Sequence, residues 1–96
     1  MSDSWIIRPK ISYEEFTAAI EEFNWSTGFE CGSQWIHDGT SHLHVDIYDN
    51  EVVGFTRFGI QTSLDNMICK IEMKFRVKAI IEHDPRYWDI VNTEGG

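Results

Sequence analysis

His42 and His44 stand two apart in the run His42-Leu43-His44-Val45-Asp46-Ile47-Tyr48. On a β-strand, residues i and i+2 point the same way, so both imidazoles share one face, and two such imidazoles can hold one zinc ion. Asp46 continues that face, but at about 13 Å along an extended chain from His42 it is too far to join the same ion. A third ligand would have to come from a neighbouring strand, where His37 stands. Two residues are thin grounds for a metal, and the same side chains serve as polar cover on the wet face of a half-exposed strand. No metal and no cofactor is therefore assigned, with His42 and His44 as the weak candidates.

Other chemistry is sparse. The two cysteines, Cys31 and Cys69, lie far apart and form no CxxC pair, so they are read as reduced thiols in a cytoplasmic protein. The chain holds no Walker A loop, no GxGxxG, no GxSxG, no HExxH and no zinc-finger spacing. No apolar run approaches membrane-spanning length, and the first residues lack the pattern of a signal peptide. A non-enzymatic protein is expected, with no membrane partner.

Charge carries more information. The net charge is −8 over 96 residues, and residues 1–56 hold all of it, with ten acids against Arg8 and Lys10. The remainder is neutral. A duplex-DNA binder needs the opposite global sign, because neutralising phosphates drives its affinity. An acidic domain of this size suits a basic protein surface, which it would meet faster through charge steering. The acids Glu14, Glu15, Glu21 and Glu22 are expected on one helix, and Trp25, Phe29 and Trp35 near glycines are expected to supply aromatic anchors. The alternative is a basic comb of Lys70, Lys74, Arg76 and Lys78, with Arg57 beside it, that would contact nucleic acid or an acidic partner. It lacks the stacking aromatics that single-stranded nucleic acid requires, Phe55 being the one neighbouring candidate. A further alternative is a small-ligand pocket between helix and sheet.

These residues need elements to carry them. Trp5-Ile6-Ile7, stopped by Arg8-Pro9, reads as a short strand. Ser12-Tyr13-Glu14-Glu15 fits a capping box, and Phe16, Ala19, Ile20 and Phe23 follow at helical spacing, so a helix runs from Ser12 to Asn24 or Trp25. Residues 26–33 read as loop, 35–38 as a strand, and 42–48 as a strand with Leu43, Val45 and Ile47 inward. Asp49-Asn50 makes a hairpin turn, since both residues tolerate positive φ. Residues 51–61 form the next strand, with bends or bulges at Gly54 and Gly59, and 62–65 turn. Residues 66–82 alternate apolar and charged, which reads as one long strand with Cys69 on its dry face and the basic comb on its wet face. Asp84-Pro85 opens a short helical turn over 85–91, and 92–96 is expected to be a flexible tail.

The expected architecture is one α+β domain over 1–91. An N-terminal amphipathic helix packs on a strongly curved, antiparallel four-stranded meander. The curvature is forced by length. A straight strand over 66–82 would reach roughly 53 Å at about 3.3 Å per residue, whereas a domain of this size has a radius of gyration of only about 12–13 Å. The strand must bend, break, or pair with a second molecule as a homodimer. The expected function is a small acidic module engaging a basic partner, as an inhibitor, an immunity or antitoxin-like protein, or a phage anti-defence protein would.

Overall fold

A computed structural model describes residues 2–58 and 64–94. The elements run β1 (Ser2–Ser12), α1 (Tyr13–Glu22), β2 (Ser26–Glu30), β3 (Ser33–His37), β4 (His42–Tyr48), β5 (Glu51–Phe58), α2 (Leu64–Phe75), β6 (Lys78–Ile81) and α3 (Arg86–Glu94). The fold is α+β, and its antiparallel sheet has six strands in the order β2-β3-β4-β5-β1-β6.

The largest departure from expectation is residues 66–82. They form most of α2, a turn and β6 rather than one strand. Met67, Ile71 and Phe75 are spaced by four, which satisfies a period of two and lies close to the helical 3.6. The residues that separate the two periods are Ile68, Cys69 and Met73. Ile68 is buried, while Cys69 and Met73 face outward, as one helical face requires. The longest extent of the molecule is 36 Å and its radius of gyration 12.9 Å, so of the three outcomes for the long strand the chain takes the break.

Both α1 and α2 end the same way. Asn24 (φ 61°) and Arg76 (φ 55°) adopt left-handed conformations just past the last turn. The next residues, Trp25 and Val77, donate N–H to the carbonyls of Ile20 (3.0 Å) and Glu72 (3.2 Å). These six-to-one bonds satisfy carbonyls orphaned at the helix ends, and the same two residues turn inward to bury their side chains. At the start of α1, Ser12 Oγ accepts from Glu15 N at 3.1 Å, the expected cap.

β1 is not the short strand expected. It spans eleven residues and lies inside the sheet, pairing with β5 and β6. Its pairing to β5 breaks between Ile6 and Ile11, where Ile7 and Arg8 pair with Ala79 and Lys78 instead. Pro9, which lacks an N–H, falls in that break, where a ladder bond is not needed. A second irregularity between Asp46 and Ile47 places an extra residue on β5 and lets Val52 and Phe55 both point inward. Phe55, the one neighbouring aromatic candidate for the basic comb, is therefore buried and unavailable to it, and the irregularity falls beside Gly54, where a bend or bulge is expected. Residues 26–33 are a hairpin rather than a loop, closed by Cys31 (φ 53°) and Gly32 (φ 79°), a two-residue turn of the same kind as Asp49 (φ 55°) and Asn50 (φ 62°).

The core lies between one face of the sheet and the helices α1 and α2. Phe16 is its centre, with ring centroids 5.7 Å from Phe55 and 6.4 Å from Phe75. Ile80 is buried but lies outside this cluster. Strand alternation puts it on the opposite face with Ile6, its cross-strand partner, on the strand that α3 contacts. α3 extends to Glu94, three residues into the expected tail. The expected bend at Gly59, Ile60, the turn at 62–63 and the terminal 95–96 lie outside the described residues.

Candidate functional site

α1 presents Glu14, Glu15, Glu21 and Glu22, all exposed. Its position is set at the N-terminal end, where Tyr13 N donates to Asn50 O of the β4–β5 turn at 2.9 Å and Thr17 Oγ1 donates to Tyr13 O at 2.7 Å. Between α1 and that turn is a concavity lined by Tyr13, Glu14, Thr17, Ala18 and Glu21 of the helix, with Ser12 and Asn50. The other two glutamates face a groove toward α2, lined also by Ala18, Ala19, Lys74 and Phe75. There Lys74 Nζ meets Glu22 Oε1 at 3.0 Å. The four carboxylates are thus two pairs on different sides of the helix. Glu14 and Glu15 sit at the favourable end of the helix dipole, whereas Glu21 and Glu22 sit at the unfavourable one.

The three aromatic candidates do not come together. Trp25 is buried in the core against Phe23, at 4.7 Å between ring centroids. Phe29 projects from β2 at 70% exposure. Trp35 is half-buried on the face of the sheet opposite α1 and α2, between His42 and His44 at 5.3 Å from each ring. Gln34 is buried behind it, donating through Nε2 to Thr27 Oγ1 at 2.9 Å, while the Thr27 hydroxyl donates to Trp35 O at 3.0 Å.

His37, opposite His42 in register, stacks on it at 6.0 Å. His44 Nδ1 lies 3.0 Å from Asp46 Oδ1, and Thr56 Oγ1 donates to Asp46 Oδ2 at 2.9 Å. A carboxylate thus orients an imidazole, as a general base requires, yet no serine or cysteine is placed against that ring among the described hydrogen bonds. Asp46 serves His44, not His42. Among the described residues no group of three His, Cys, Asp or Glu side chains could hold a metal ion.

The basic comb is dispersed. Lys70 and Lys74 lie on α2, Arg76 in the turn after it and Lys78 on β6, so they are not neighbours on one strand face. Lys70 Nζ stands 6.0 Å from the centroid of the Phe23 ring. Arg57 is held by Asp3 across β5 and β1, with Nε donating to Oδ2 at 2.9 Å. Alternation missed this because it placed all four bases on a strand that does not exist. Cys69, expected on a dry face, is exposed, as is Cys31, and both are free thiols.

Two carboxylates have lowered pKa values. At Asp38 burial alone would raise the pKa, but the N–H groups of Ser41 and Thr40, with His37 nearby, outweigh it. This residue shapes the β3–β4 turn, its Oδ1 accepting from both N–H groups at 2.7 and 2.8 Å. At Asp84 the Arg86 side chain, then the Arg86 N–H, lower the pKa to about 2. No helix of the described residues is long and apolar enough to cross a membrane.

No protein-family model, no curated protein and no solved structure matches this chain.

Proposed function

We propose that this chain is a small, acidic, non-enzymatic binding module that engages a basic protein surface through the outward face of α1. The observation that carries it is the concavity between Glu14 and Glu21. Its lining combines Tyr13, Thr17 and Ala18, which suit the aliphatic stem of a lysine or arginine, with the carboxylates of Glu14 and Glu21, which suit the charged head. The net charge of −8 steers such a partner to the surface. Inhibitor, immunity, antitoxin and phage anti-defence proteins have the same physical requirements of small size, one-signed charge and no chemistry of their own. The exposed free thiols Cys31 and Cys69 support a reducing compartment such as the cytoplasm as its place of work.

The test is a titration of the labelled protein with an octalysine peptide, followed by amide chemical shifts. Shifts concentrated at 12–21 and 49–50 that fade with added salt are expected, and a Glu14→Gln/Glu21→Gln variant should lose them. Shifts confined to the histidine face, or none at all, would defeat the proposal.

A further inference from the structure

The two edges of the sheet are treated differently. At β6 the outward N–H of Ala79 is taken by Glu72 Oε2 at 2.9 Å, and the outward carbonyl of Ile81 accepts from Asp84 N at 2.9 Å. One outward donor and one outward acceptor of that edge are thus taken by the chain itself. At β2, the other edge, all five residues are exposed and, among the described residues, β3 alone is paired to it.

The register of the β2–β3 hairpin fixes which groups of β2 face outward. Cys31 and Gly32 form a two-residue turn, so Glu30 and Ser33 are the closing hydrogen-bonded pair. Hydrogen-bonded pairs then recur at Gly28–Trp35 and Ser26–His37. The N–H and C=O groups of Thr27 and Phe29 are left pointing away from β3. Sheet edges are ordinarily guarded by lysine, proline or a bulge, and β2 carries none of these. Its one charge, Glu30, stands at the end of the strand, and Phe29 at 70% exposure stands beside the open backbone.

We propose that β2 pairs antiparallel with the β2 of a second copy of the chain, about a two-fold axis through Gly28. In that register Thr27 lies opposite Phe29 of the other copy, and both residues use their outward N–H and C=O groups. Ser26 lies opposite Glu30, so each carboxylate meets a hydroxyl rather than the other carboxylate. Gly28 meets Gly28, with no side chain on the axis. The same five residues thus supply both halves of a closed, self-complementary contact, which favours a second copy over an unrelated strand. The Thr27 side chain is already engaged within the hairpin, its hydroxyl donating to Trp35 O, which leaves the Thr27 backbone to the edge. The pairing does not depend on the acidic face of α1.

Gly28 offers a direct test. A Cβ added there meets nothing within 4 Å, and its φ lies outside the left-handed range, so side chains are accommodated in the monomer. Sedimentation equilibrium of the full chain from about 10 μM to about 1 mM spans the affinities expected of so short an edge. The mass should climb from 11.2 kDa toward twice that value, and further at high salt, which screens the −8 charge of each copy. Salt acts in the opposite direction on binding of a basic peptide at α1, so the two ideas fail separately. Gly28→Lys and Gly28→Glu should each stay monomeric, and an equimolar mixture of the two should recover the dimer. In the parent chain, amide exchange of Thr27 and Phe29 should slow as concentration rises, a readout that needs no variant. A parent that stays at 11.2 kDa throughout overturns the proposal and leaves the edge to a different chain. A dimer indifferent to Gly28→Lys also overturns it, by placing the interface elsewhere.

Discussion

Lys74 Nζ lies 2.9 Å from Glu22 Oε2, joining the last turn of α2 to the last residue of α1. The carboxylate stands at the negative end of its own helix, where it is unfavourable, and the ammonium from the neighbouring helix offsets it. Both side chains remain substantially exposed, at 39% and 55%, so the pair adds little to stability.

Its removal should therefore be felt in binding more than in folding. Lys74→Ala is expected to cost less than about 1 kcal/mol in a urea titration. By exposing the Glu22 charge it should also tighten octalysine binding by about twofold to fivefold, mostly through the on-rate. Weaker binding in the variant would count against the acidic face as the docking surface.

Gly54 is a second point of leverage. It lies between Asp46 of β4 and Ile6 of β1, beside both irregularities of the sheet, and a Cβ there would run into the backbone carbonyl of Trp5. Backbone cannot swing aside as a long side chain can. Gly54→Ala should lower unfolding stability by about 1–3 kcal/mol, the usual range for forced overpacking. Gly28→Ala, open on every side, provides the matched control and should change little.

Arg76 adopts φ 55° to end α2, a conformation in which a side chain is strained and glycine is not. It is exposed and its helix ends through the backbone of Val77. Arg76→Gly should stabilise the fold by about 0.5–1 kcal/mol in thermal or urea unfolding. A loss of stability would mean that the Arg76 side chain contributes more than its backbone costs.

The Asp84 carboxylate begins α3, its Oδ1 accepting from Arg86 N at 2.9 Å while Oδ2 meets Arg86 Nη2 at 2.9 Å. Its folded pKa, about 2, lies below the ordinary 3.8. Its contribution is therefore complete above 3.8 and lost as pH falls from there toward about 2. The Arg86 amide shift should titrate with a midpoint near 2. Arg86→Ala should move that midpoint back up toward 3.8, and a midpoint already at 3.8 in the parent would refute the pairing.

What could be seen from residues alone depended on whether neighbours in sequence decide the conformation. The start of α1 was legible because the Ser12 side chain caps it locally through Glu15 N, and the Asp49–Asn50 turn because both residues tolerate positive φ. β4 was legible at Leu43 and Val45, which are buried, but Ile47, expected inward, is 41% exposed, because it lies past the irregularity that follows Asp46. The 66–82 stretch failed because four-residue spacing serves two periods, and only the tertiary placement of Ile68, Cys69 and Met73 separates them. The β2 hairpin was hidden because Cys31 is an uncommon residue for a left-handed turn position. The acidic residues of α1 were identifiable, but their division between an open concavity and a groove closed by Lys74 was not, since that depends on where α2 packs. The scattering of the aromatic candidates likewise follows from strand parity, which puts Phe29 and Trp35 on opposite faces.

The placement of β1 has a consequence for the order of assembly. It is made before every other described element, yet its two hydrogen-bonding neighbours are β5 and β6, made some forty to eighty residues later. The β2–β5 meander can close hairpin by hairpin as it emerges, through local contacts that form quickly. Trp5, Ile6 and Ile7 must meanwhile wait without a sheet to enter. Translation that pauses before residue 78 would hold an apolar N-terminal strand with one flank unfilled, which makes that interval the one in which a chaperone has most to protect.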